Sequence, residues 1–130
     1  MKAEDNRKAL DLKRQDTALL ETYASEKEID TKRDRDLQVI DLQVEQLTGA
    51  LKNTMQRYND AKGRVDTAEK AKKPLAQPQK DEFSRVSAEK LRFEQAIDNK
   101  NKEKEELRKR YAEYRKRYTE LRSQQATAKK

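Results

Sequence analysis

The sequence contains no cysteine and no histidine. That excludes disulfides, thiol nucleophiles, imidazole acid–base chemistry and the usual zinc sites. Glycine and proline number two each, too few for a loop-rich or low-complexity chain. Apolar residues are also scarce: 32% of 130 residues, against 44% charged. A compact globule of that length needs more apolar side chains to offset chain entropy. No apolar run approaches a transmembrane span or the core of a signal peptide. No Gly-rich phosphate loop, nucleophile elbow or metal-ligand spacing is present, and no cofactor is expected. The classes left are disorder and long helices that bury one narrow stripe.

Periodicity decides for helices. From Leu37 the sequence runs Leu37, Ile40, Val44, Leu47, Leu51, Thr54, Tyr58, Ala61, Val65, Ala68 in unbroken steps of three and four. This is an a/d heptad seam with Thr54 as its polar member and Met55 beside it. Gly49 and Gly63 fall at f, farthest from the seam. A second seam reads Phe83, Val86, Lys90, Phe93, Ile97, Lys100, Lys104, Leu107, Tyr111, Tyr114, Tyr118, Leu121. Its three lysines are polar intruders, with Leu91 expected to cover for Lys90. Between the seams, Pro74 and Pro78 end one helix and allow the next to start.

Two heptad helices joined by a short turn pack antiparallel. The expected fold is all-α: a two-helix coiled-coil hairpin over about 26–72 and 80–125, turning at 73–79. Folding about residue 77 opposes positions whose numbers sum to about 153–156. Opposite charges then meet as Asp34 with Arg122, Asp36 with Arg117, Asp41 with Arg115, Lys62 with Glu94 and Arg64 with Glu89. Such pairs specify register more than stability.

The N-terminal part differs. Ser25 and Glu28 have the spacing of a capping box, which predicts a helix start after Ser25. The seam fails between Tyr23 and Leu37, where Glu26, Asp30 and Arg33 hold the a/d slots. A separate helix over about 3–23 is expected, within a segment 1–24 distinct from a hairpin domain 25–130. Its Leu10, Leu12, Leu19, Leu20 and Tyr23 have no partner in the proposed register. They are the candidate partner-binding residues, for a second copy, a fold-back onto the hairpin tip, another protein or domain, or, least favoured because the face is short and charge-balanced, a membrane surface; the alternative is that the segment frays. Oligomeric state is left open between monomer and dimer.

Net charge is +7, and all the excess lies in residues 99–130, with 12 basic and 5 acidic side chains. Arginines and lysines alternate with tyrosines from Arg108 to Tyr118, a pattern that suits nucleic acid. The heptad reading instead makes the tyrosines core residues and the arginines interhelical partners, so nucleic acid is not the favoured ligand. Lys102, Lys109, Lys116 and Lys130 point outward and are the candidate polyanion contacts. Asp30, Asp34, Asp36 and Asp41 are interspersed with Lys32, Arg33 and Arg35, which reads as a salt-bridged face and not as a cation site.

The block Leu19-Leu20-Glu21-Thr22-Tyr23-Ala24-Ser25-Glu26-Lys27-Glu28-Ile29-Asp30 and the closing Arg117-Tyr118-Thr119-Glu120-Leu121-Arg122 carry a resemblance. The pattern is similar to a family of proteobacterial cell-envelope proteins of unknown function. In these, a secretion signal and a small N-terminal domain precede a Leu-Leu-x-Thr-Tyr-x-Ser-x-x-Glu-Ile segment and a long helical hairpin. The similarity spans roughly residues 16–122. It implies a periplasmic helical hairpin without catalytic residues, an envelope scaffold or spacer. The signal and small domain are not in this sequence, and a cytoplasmic chain that binds a polyanion is the alternative.

Overall fold

The computed structural model describes residues 2–128. The fold is all-α, with α1 over Lys2–Thr22, α2 over Glu26–Lys70 and α3 over Gln77–Ala128. The two long helices form the hairpin, and α1 is the shorter N-terminal helix. Tertiary contacts divide the chain into two compact units, Met1–Gln38 with Lys104–Lys130, and Val39–Glu103. Helix α1 therefore does not stand apart as residues 1–24. It shares a unit with the start of α2 and the end of α3.

Burial follows the heptads. Every seam position from Leu37 to Ala68 is buried or half-buried, and so is every one from Phe83 to Leu121 except Tyr114. Tyr114 is 38% exposed and meets the Tyr111 ring edge-on at 5.7 Å. Both f-position glycines face open space.

The turn lies earlier than expected. Helix α3 starts at Gln77, because the Ala76 carbonyl accepts from the N–H groups of both Gln79 and Lys80. Pro78 thus sits in the first turn of α3, where its missing N–H would have no intrahelical partner anyway. At the other side, α2 closes in a Schellman arrangement. The Lys73 N–H donates to Ala68 at 3.0 Å and the Lys72 N–H to Glu69 at 3.1 Å. Lys72 takes the left-handed conformation there, with φ 53°, a position that usually selects glycine.

This shift moves the register by about one heptad. The facing pairs Arg57–Glu89, Asp36–Tyr111, Asp30–Arg115 and Glu26–Thr119 have numbers summing to 145–147, not 153–156. The expected charge pairs change accordingly. Arg117, expected on Asp36, reaches Asp16, while Asp36 accepts from Tyr111 and Lys32. Arg115, expected on Asp41, donates to both oxygens of Asp30. Glu89 takes Arg57 in place of Arg64. Lys62 and Glu94 pair within their own helices, with Asp66 and Lys90. Asp34 pairs with its neighbour Arg33, and the Arg122 guanidinium lies 5.9 Å over the Tyr118 ring.

In the unit Val39–Glu103, Ile40, Thr54, Ala61 and Val86 are buried. Tyr58 stacks on Phe83 at 5.8 Å. Two of the polar seam members, Thr54 and Lys90, are reconciled by specific contacts. Thr54, fully buried, donates to Glu89 at 3.1 Å and accepts from Arg57 at 3.3 Å. Lys90 places its ammonium 5.1 Å over the Tyr58 ring and pairs with Glu94 at 2.9 Å. Leu91 does not cover it and is 56% exposed. The Ser87 hydroxyl is the buried side-chain polar atom without a partner among the described residues.

Candidate functional site

The unit formed by α1, the start of α2 and the end of α3 contains the five candidate partner-binding residues. The capping box forms: the Glu28 N–H donates to Ser25 Oγ at 3.3 Å, and the Glu28 carboxylate accepts from the Ala24 N–H. This fixes the entry of α2 directly after the Tyr23–Ser25 connection. Ile29 then lies at the centre of a cluster with Tyr111 and Tyr118, with 0%, 7% and 1% exposure. Leu19, Leu20, Tyr23 and Leu107 pack against it.

Three of the five candidate partner-binding residues are thus consumed within the chain. Leu19, Leu20 and Tyr23 cover the hairpin's own core, beside Tyr111 and Tyr118 and not at the proline turn. Leu10 and Leu12 remain exposed, at 48% and 60%. Two residues apart, they do not share a helix face. Only Leu12 continues the stripe of Leu19, Leu20 and Tyr23.

Ile29 was not legible as core because it occupies g, one position before the a slot held by Asp30. A seam that meets one partner helix needs only a and d. A helix that meets two partners needs a wider stripe. The signal available is that Ile29 is the only large apolar side chain between Tyr23 and Leu37.

Charge completes this unit. Arg117 donates from Nε to one oxygen of Asp16 at 2.9 Å and from Nη2 to the other at 2.7 Å, a two-pronged fork between α3 and α1. The hydrogen bonds from Arg117 hold the Asp16 carboxyl below the usual carboxylate range. The Asp16 and Glu120 carboxylates hold the guanidinium more firmly protonated. Between α2 and α3, the Tyr111 hydroxyl donates to Asp36 at 2.5 Å. That bond and the Lys32 ammonium keep Asp36 ionised to lower pH. Burial, with the Asp36 charge, pushes the Tyr111 phenol up. A cleft of about 580 Å³ opens beside the fork, lined by Leu19, Tyr23 and Tyr114 with Asp16 and Arg117.

Of the basic candidates, Lys102 is paired with Asp98 at 3.1 Å. Lys109 and Lys116 are exposed and make no ion pair among the described residues. Lys130 lies outside the described residues. No cluster of three or more potential metal ligands occurs among the described residues, and no helix there is long and apolar enough to cross a membrane. Compared with known proteins, the chain matches no family model, no curated protein and no solved structure.

Proposed function

We propose that this chain is a non-enzymatic structural and interaction protein, a helical scaffold or spacer of the bacterial cell envelope. One observation carries the reading. The carboxylates with displaced protonation equilibria are each engaged in helix packing: Asp16 with Arg117, Asp36 with Tyr111 and Lys32, Glu89 with Arg57 and Thr54. Each of these carboxylates faces its own donors in a contact between helices, whereas an acid–base site gathers such groups around one reacting centre. The periplasmic location rests on the sequence resemblance alone. It is tested by fractionating cells that express the native gene with a C-terminal epitope. A periplasmic or envelope-bound product is expected, and a wholly cytosolic one rejects the envelope assignment.

With Leu19, Leu20 and Tyr23 turned inward, the proposed solution state is a monomer of 15.3 kDa. Light scattering after size exclusion reads this directly, and a dimer of the full chain would reject it. The polyanion reading is supported by the unpaired Lys109 and Lys116. It requires binding to duplex DNA or RNA that weakens steeply with salt and drops on Lys109→Glu with Lys116→Glu.

A further inference from the structure

The turn of the hairpin carries a built cleft. It measures about 510 Å³, and its apolar walls include Val65, Leu75 and Phe83. Leu75 and Phe83 are half-buried against it and do not project outward. Its shape is set in advance: the Schellman closure, Lys72 in the left-handed conformation, and Pro74 and Pro78 leave the backbone little freedom.

The rim is basic. Lys72, Lys73 and Lys80 line the cleft, all exposed, and none has an ion pair among the described residues. Glu69 is the one carboxylate in the lining. The neighbouring acids are turned to other partners, Asp81 to Gln77 and Glu82 to Arg85. Lys70, in the last turn of α2, complements the negative end of that helix. Lys72 and Lys73 lie beyond it. An apolar slot with a net positive rim selects a large apolar side chain carried between carboxylates. A peptide segment brings an apolar side chain and flanking carboxylates together, whereas anionic lipid offers the rim its headgroup charge alone.

We infer that the turn cleft between α2 and α3 is a docking site for a short acidic peptide segment of a partner protein, with one large apolar side chain inserted against Val65, Leu75 and Phe83. Lys72, Lys73 and Lys80 hold the flanking carboxylates. The site presupposes the interaction-protein reading above and supplies its partner class.

The test is selection of binders to the full chain from an array of random dodecamer peptides. Enrichment of an aromatic or leucine residue flanked by Asp or Glu is expected, with affinity falling as salt rises. Lys73→Glu with Lys80→Glu should weaken the selected peptides by at least about tenfold through like-charge repulsion. Lys72→Gly separates charge from folding: it relieves the backbone, raises thermal stability, and should still weaken the peptides several-fold. No enrichment, enrichment without carboxylates, or unchanged affinity in the charge variants would overturn the site. So would binding to phosphatidylglycerol vesicles without any selected peptide. Failure here with an envelope-bound product in fractionation removes only the cleft. A cytosolic product with intact peptide capture removes only the envelope assignment.

Discussion

Arg117 on α3 and Asp16 on α1 are joined by two parallel hydrogen bonds, 2.9 and 2.7 Å long, across 101 residues of sequence. Among the described residues this fork is the ion pair that ties the N-terminal helix to the hairpin, beside the apolar cover of Leu19, Leu20 and Tyr23. Both side chains keep partial access to solvent, at 43% and 23%, so water and salt screen it. Arg117→Ala should leave the hairpin folded and lower hydrogen-exchange protection in residues 2–22 selectively. The loss should shrink in high salt. Unchanged protection in α1 would show that the apolar contacts alone hold it.

Ile29 has no solvent exposure and is contacted through its cluster by both neighbouring helices. Ile29→Ala removes buried methyl groups where three helices meet, and should cost about 2–4 kcal/mol. Urea unfolding reads this. A loss under about 0.5 kcal/mol, the level of an ordinary surface substitution, would contradict the burial.

Acid should loosen the packing in a defined window. Asp16, Asp36 and Glu89 all titrate below their ordinary values of 3.8 and 4.5, chiefly through hydrogen bonds from Arg117, Tyr111 and Arg57 respectively. A carboxylate with a depressed folded pKa contributes stability that is complete above its unfolded value and lost as pH falls through the folded one. Melting temperature should therefore be level from pH 7 to about 5 and fall below about 4.5. Tyr111→Phe, which removes the phenolic hydrogen bond to Asp36, should lower stability at neutral pH by about 1–2 kcal/mol and make the acid slope shallower. A steeper slope in that variant would reverse the assignment.

Two open helix positions and one buried hydroxyl offer stabilising changes. Gly49→Ala and Gly63→Ala add a methyl group into open space, and each should stabilise by about 0.5–1 kcal/mol. Ser87→Ala removes the unpartnered hydroxyl and should also stabilise, by up to about 1 kcal/mol. The three lie in the Val39–Glu103 unit and are read by thermal melts. Destabilisation by either glycine change would mean that the f face is covered in solution.

What was readable in the sequence was what is local or periodic. The a/d seams required only counting, and the Ser25–Glu28 box only a spacing of three. The prolines mark the turn but put it late, because Pro78 reads as a breaker in sequence and stands in the first turn of α3 in the structure. That error carried into the charge pairs. Heptad sequences repeat their charges with the same period as their seams, so a register slipped by about one heptad still matches opposite signs. Asp36 opposite Arg117 looked as good as Asp30 opposite Arg115. Only the length of the loop distinguishes them, and the Lys72 conformation that sets this length has no glycine to announce it. A fold-back of α1 is among the sequence expectations, but its place on the hairpin is not legible, for another reason. Ile29 and Asp16 are single residues outside any repeat, and their contacts join helices far apart in sequence.

The order of those separations bears on how the chain folds. Arg57–Glu89 closes 32 residues, Tyr111–Asp36 closes 75, Arg115–Asp30 closes 85, and Arg117–Asp16 closes 101. Each later contact is cheap only after the earlier ones have shortened its loop. Folding is therefore expected to nucleate beside the Schellman turn and zip outward, with α1 captured last. Substitutions at Val86 should slow folding, whereas those at Leu19 should chiefly speed unfolding. The turn acts in this scheme as the kinetic seed of the molecule, closed by the hydrogen bonds of Lys72 and Lys73 before any distant contact can form.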